Sequence, residues 1–263
     1  MHVGEGLIAP PTARIYFHGI PGSADELRLA EVDPAQFLAP NRGLIAVGTS
    51  GYDYFDALAN HVGKLGPTLH LVGFSLGAAA ALQVAARLAG RIEKVDLIAA
   101  AAPPELGDFL HLAAGGAVFR LAANRPKRFA ALVRAQSLLA RHVPGLLVRA
   151  LFANAAGADR DLARDPAFRS AIASMLRTGL GSDPAGYHRE ISAYVAPWAD
   201  LLASVTAPVT LWHGDADNWS PPPMAEALRL ALPNVIALHH LSGLSHYSTL
   251  KVALARIVEQ EGA

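Results

Sequence analysis

The sequence contains no cysteine in 263 residues, which excludes disulfides, a thiolate nucleophile and cysteine-ligated metal. It has no excess of either charge: 22 Lys and Arg balance 22 Asp and Glu, so no nucleic acid or acidic membrane surface is expected as a partner. No apolar run approaches the ~18 residues of a membrane span. The hydrophobic residues, 52% of the chain, are interrupted throughout by charge, glycine or proline. Met1 to Gly6 carries neither a basic patch nor a long apolar stretch, so a secretory leader is not expected and a soluble, cytoplasmic protein is. Neither G-x-G-x-x-G nor a lysine-bearing phosphate loop is present, so a nucleotide site is not expected.

What the chain does have is alternation. Short apolar runs at Ile15–Phe17, Leu44–Val47, Leu69–Val72, Val95–Ile98, Val209–Trp212 and Val235–Leu241 read as strands, mostly apolar throughout, as in a parallel sheet covered on both faces. Helical patterns lie between them. Ser23 and Glu26 have the spacing of a capping box, Phe55, Leu58 and Val62 share a face, and Leu76–Leu88 is an alanine-rich helix. Leu250, Leu254, Ile257 and Val258 stripe the last helix. The pattern predicts an α/β fold with a doubly wound, mostly parallel sheet.

From Pro103 to Ser204 the pattern changes to amphipathic helices broken at Pro126, Pro144-Gly145 and Gly179 to Pro184, with Phe129, Leu132, Val133 and Val143 at helical spacing in one of them. The expected organisation is a core of residues 1–102 and 205–263 with an all-helical cap, 103–204, over the carboxyl edge of the sheet. Arg125, Lys127, Arg128, Arg134, Arg141 and Arg149 read as the solvated face of that cap. Tyr187, Ile191 and Tyr194 recur on the segment returning to the core.

The candidate nucleophile is Ser75, in Gly73-Phe74-Ser75-Leu76-Gly77 between a strand and a helix. So sharp a turn strains the middle residue and leaves only glycine-sized room two positions to either side. A serine hydroxyl needs a base, and the base an orienting acid. His246, in the loop Gly243-Leu244-Ser245-His246 after the last strand, is the candidate base. Ten other histidines compete. His18 and His213 precede glycines at strand ends, where an imidazole bonds local backbone; of His239 and His240 in the last strand, one is expected in the core and one at a helix interface.

The acid comes from His213-Gly214-Asp215-Ala216-Asp217-Asn218-Trp219-Ser220-Pro221. Asp217 lies further out and is the candidate; Asp215 is expected to tie the turn to backbone, and Glu105 or Asp108 remains as an alternative acid. The turn His18-Gly19-Ile20-Pro21-Gly22 suits presentation of the Ile20 N–H, and the Leu76 N–H opens a helix, so these two are the expected oxyanion donors.

With these four motifs in the order serine, acid, histidine, the chain resembles the α/β-hydrolase superfamily. The resemblance implies a nucleophile elbow at Ser75 and a lid inserted where Pro103 to Ser204 stands, with the amino-terminal strands shortened because only a dozen residues precede the first strand-rich stretch, from Ala13. Ser75 speaks against the aspartate-using haloalkane dehalogenase branch. Ile20 and Leu76 stand where proline iminopeptidase-like members carry a glycine and a tryptophan. Gly48-Thr49-Ser50-Gly51-Tyr52 only loosely matches the family's glycine-rich turn. The expected activity is hydrolysis of a small, largely apolar carboxylic ester or lactone, with no metal and no organic cofactor. C–C bond or amide hydrolysis on the same residues, and a non-catalytic ligand-binding protein, are the alternatives. The sequence leaves the oligomeric state open.

Overall fold

The computed structural model describes residues 12–45 and 51–262. Among these residues, five parallel strands form one sheet in the order β1 (Ala13–Phe17), β2 (Leu69–Phe74), β3 (Ile92–Ile98), β4 (Val209–Gly214) and β5 (Val235–Leu241). β2 is buried along its whole length, which is why it does not alternate with polar residues; its one polar side chain, His70, is bonded to Asp96 at 2.7 Å. The core helices are α1 (Glu26–Leu29), α2 (Gly51–Val62), α3 (Leu76–Arg87), α10 (Pro223–Ala231) and α11 (His246–Gly262). This is the α/β class that the alternation implies.

Three local expectations are corrected. No strand forms at Leu44: it closes a 3-10 turn, Arg42–Leu44, while Ala46 and Val47 lie outside the described residues. The outer edge of β1 is instead met by a single bridge from Leu38, which donates to Arg14 O at 2.8 Å and accepts from Tyr16 N at 2.9 Å. Of the glycine-rich segment, Gly51 and Tyr52 open α2, and 48–50 also lie outside the described residues. The capping box does not close either. Ser23 Oγ accepts from Asp25 N at 3.3 Å, whereas the Glu26 side chain turns inward and is fully buried. Finally, β5 is an edge strand among the described residues, so neither of its histidines is in the core: His240 is exposed, its Nε2 3.5 Å from Glu226 of α10, and half-buried His239 stacks on Trp212 with centroids 4.1 Å apart.

Between β3 and β4 the regular elements are helical: α4 (Gly116–Asn124), α5 (Pro126–His142), α6 (Pro144–Leu151), α7 (Asp159–Leu162), α8 (Pro166–Leu176), a wider π-helical turn over Arg177–Ser182, and α9 (Pro184–Val195). The prolines that break the sequence pattern open these helices, at the position where a missing N–H costs nothing. Asp165 and Asp183 cap two of them through Ala167 N and Gly186 N. All six basic residues noted above are exposed. The two chain ends of the insertion are clasped to each other. Glu105 Oε1 accepts from Trp198 N (2.6 Å) and Ala199 N (3.0 Å), and the Tyr194 hydroxyl donates to Ala102 O (2.9 Å).

Candidate active site

Ser75 stands between β2 and α3 with φ 55° and ψ −124°, a region that side-chain-bearing residues rarely enter. Its backbone is tied on three sides: the N–H donates to Ile98 O at 2.9 Å, and the carbonyl accepts from Ala78 N at 3.1 Å and Ala101 N at 3.3 Å. The flanking glycines answer to space. A methyl on Gly73 would lie 2.6 Å from Ala78 Cα, and one on Gly77 would overlap the carbonyl oxygens of Phe17 and His18. The turn can therefore close only with hydrogen at both positions.

Asp217 and His246 meet, as Nδ1 of the imidazole donates to Asp217 Oδ2 at 2.8 Å. Both side chains are buried. The other carboxylate oxygen accepts from Trp219 N (2.8 Å) and Ser220 N (3.0 Å), so the acid loop is folded around the carboxylate. His213, at the end of β4, secures that loop from beneath by donating Nε2–H to Ser220 O at 2.8 Å. Burial depresses the basicity of His213 and keeps it neutral for this bond. His246 is the first residue of α11 rather than a loop residue. Its ring lies nearly parallel to Trp219, 5.5 Å away, with Phe74 at 4.7 Å. Burial pulls its pKa down, but the charge and hydrogen bond of Asp217, with Asp159 and Glu26 adding to them, outweigh this and hold it above 6.5.

The rival acids are engaged elsewhere. Asp215 Oδ1 accepts from Gly243 N at 2.8 Å, a backbone tie as expected, though to the next loop rather than within its own turn. Glu105 holds the ends of the insertion, and Asp108 is an exposed neighbour of His111.

The Ile20 and Leu76 residues line the same cavity as Ser75, and among the described residues neither N–H donates to a backbone acceptor. Beneath the turn lies Glu26, which sequence reasoning assigned to a helix cap. Its Oε2 accepts from Gly19 N (2.9 Å) and from the Tyr16 hydroxyl (2.8 Å). Burial pushes this carboxyl up to about 7, against the lowering effect of those two bonds and of Arg42 and His246. His18 Nδ1 lies 2.8 Å from Gly19 O and 3.0 Å from Arg42 Nη2. Burial and Arg42 together lower it to about 3. A neutral His18 and a buried carboxyl thus brace the turn from two sides.

The cavity over Ser75 has a volume of about 110 Å³ and a largely apolar wall. The core contributes Ile20, Leu76 and Trp219; the insertion contributes, among others, Leu147, Tyr187 and Tyr194. A smaller adjoining space is lined by both Ser75 and His246. Hydroxyl and imidazole thus line one space, and the carboxylate holds the imidazole from its buried side, the three kinds of group that nucleophilic catalysis requires. Among the described residues no group of three or more His, Asp or Glu is disposed to hold a metal ion, and no helix is long and apolar enough to cross a membrane.

One further residue escaped sequence reading. Asp159, buried at the start of α7, accepts from Tyr247 N (2.9 Å), Ser248 N (2.8 Å) and Ser248 Oγ (2.6 Å). It caps the helix that begins at His246, from 88 residues away. In sequence, Asp159-Arg160-Asp161 resembles any solvated charge run. Asp159→Ala leaves three buried donors unpaired, so unfolding free energy should fall on the order of 3 kcal/mol. A urea midpoint within error of wild type would contradict this role.

A family model described as the alpha/beta hydrolase family matches residues 15–259. No curated protein matches the chain in sequence. Among solved structures, a thermophilic esterase from Thermogutta terrifontis is similar over 95% of this chain and 90% of its own, at 19% identity and a TM-score of 0.64. The enol-lactonase from Burkholderia xenovorans LB400 is similar over 98% and 94%, at 18% identity and a TM-score of 0.63. A bromoperoxidase from Bacillus anthracis is similar over 95% and 92%, at 18% identity and a TM-score of 0.63. At such identities the likeness is one of fold.

Proposed function

The chain belongs to the alpha/beta hydrolase family, and from that premise we propose that it is a serine hydrolase cleaving a small, largely apolar carboxylic ester or lactone. The observation that carries this reading is the buried Asp217–His246 pair set beside Ser75 at the floor of an apolar cavity. In this scheme Ser75 Oγ attacks the carbonyl carbon and His246 Nε2 takes its proton. Asp217 holds Nδ1–H in place and stabilises the imidazolium. The Ile20 and Leu76 N–H groups receive the charge that develops on the carbonyl oxygen. The tetrahedral intermediate collapses to an acyl-enzyme as His246 returns the proton to the leaving alcohol. Water, deprotonated by the same nitrogen, then releases the acid.

Residues 103–204 act as the cap, over a core of 1–102 and 205–263, and keep water from the acyl-enzyme until hydrolysis. Treatment with a fluorophosphonate tests the reading: label on Ser75 supports it, and folded but unlabelled protein favours a ligand-binding role. Turnover of amides or C–C bonds in preference to esters would move the activity to the alternative chemistry. The apolar wall also predicts chain-length dependence. Along a series of p-nitrophenyl esters, kcat/KM should rise by up to about fourfold per methylene, then fall where the cavity ends. A flat series, or preference for charged acyl groups, would exclude the cavity as the acyl site.

A further inference from the structure

Gln136 is the anomaly in this cavity. It lies on α5, where Phe129, Val133, Ser137 and Ala140 form the buried stripe, and three-residue spacing from Val133 turns it toward the same side. Its side chain lines the wall opposite the core, yet its Oε1 is buried without a hydrogen-bond partner. Of the other polar residues in the wall, Tyr194 has its hydroxyl bonded to Ala102 O at 2.9 Å, and Ser220 has its backbone held by Asp217 and His213. Among the described residues no Lys, Arg, His, Asp or Glu lines this cavity. Burial alone pushes the Tyr187 phenol up to about 12, so that part of the wall stays neutral too.

We propose that Gln136 forms a polar subsite selecting acyl groups that carry a neutral hydroxyl beyond the scissile carbonyl. The inference rests on the ester- or lactone-hydrolase reading above and narrows its substrate class to hydroxyacyl compounds. An unpaired buried amide oxygen is unfavourable, and a bound ligand that supplies the missing donor relieves it. A hydroxyl both donates and accepts, so it satisfies the carboxamide in either orientation of the amide. A charged acyl group would find no counter-charge in the wall and would lose its hydration on entering. A plain alkyl chain fills the space but leaves Oε1 unpaired.

The test compares p-nitrophenyl esters of a medium-chain acid with the same esters hydroxylated at successive carbons, on wild type, Gln136→Leu and Gln136→Met. In wild type, one hydroxylated isomer should exceed the plain ester by about tenfold in kcat/KM, the size of one well-placed hydrogen bond. Both variants should lose that preference, the ratio of kcat/KM between the hydroxylated and plain esters falling to about one. The corresponding methyl ketones supply a readout that needs no turnover, through intrinsic fluorescence to which Trp219 in the wall contributes. Wild type alone should bind the hydroxylated ketone about tenfold more tightly than the plain one. If ketone preference is present and vanishes in the variants while no ester is hydrolysed, the subsite stands and the ester reading falls. If esters are hydrolysed but no hydroxylated isomer is preferred, or preference persists in both variants, the subsite is overturned.

Discussion

Ser75→Ala should lower kcat for a p-nitrophenyl ester on the order of 10⁵-fold or more, to a level set by binding and by the backbone donors alone. Among the described residues, Ser75 is the one serine or threonine lining the space that His246 lines. The fold should survive, because the strain at this position is in the backbone, and alanine carries the same penalty at φ 55° as serine does. Glycine would not. Ser75→Gly should be just as inactive but more stable by about 1 kcal/mol, since glycine enters the left-handed region freely. The pair separates catalytic loss from structural loss. Activity near that of wild type in Ser75→Ala would mean that the nucleophile is elsewhere.

Asp217→Asn should lower kcat by about 10⁴-fold while leaving substrate binding largely intact. An asparagine oxygen can keep the bonds from Trp219 N and Ser220 N, so the acid loop should hold its shape. The amide nitrogen would then face His246 Nδ1 and turn the imidazole to the wrong tautomer. The same change shifts the pH profile. His246 must be neutral to accept the serine proton, so activity is lost as pH falls through its pKa, which Asp217 holds above 6.5. Removing that charge should move the acid limb of the residual kcat/KM to lower pH. Asp215→Asn should change activity by less than about tenfold, because an asparagine oxygen still accepts from Gly243 N. Reversal of the two phenotypes would assign the acid to Asp215.

What the sequence made legible is what depends on neighbours along the chain. The strained turn at Ser75 could be found because its constraint is local: a strand, a tight turn, a helix, and glycines two residues to either side. The helical stretch between β3 and β4 was visible for a similar reason, since each of its three breaks holds a proline that opens a helix: Pro126, Pro144 and Pro184. Tyr187, Ile191 and Tyr194, grouped by spacing alone, all line the cavity. Three residues whose surroundings depend on distant partners were misassigned or missed by local reading. Glu26 had the spacing of a capping box, yet its carboxyl is better satisfied by Gly19 N and the Tyr16 hydroxyl inside the core. Leu44 had β-propensity, but the outer edge of β1 was taken by Leu38. Nothing in the local sequence around Asp159 foretells its partners on α11.

That last bond bears on how such a molecule can be re-engineered. The helical insertion looks like a cassette, clasped at its ends by Glu105 and free to be exchanged for that of a relative with another specificity. Asp159 makes it otherwise. The cassette supplies the acceptor for the first amides of the helix that carries His246, and Ala158 N donates to Gly243 O at 2.9 Å in the adjoining loop. A chimera that imports a foreign insertion without a carboxylate at this point would keep Ser75, Asp217 and His246 and still leave His246 on a frayed helix. Exchange of the insertion thus requires the company of one acidic residue that does not line the cavity over Ser75.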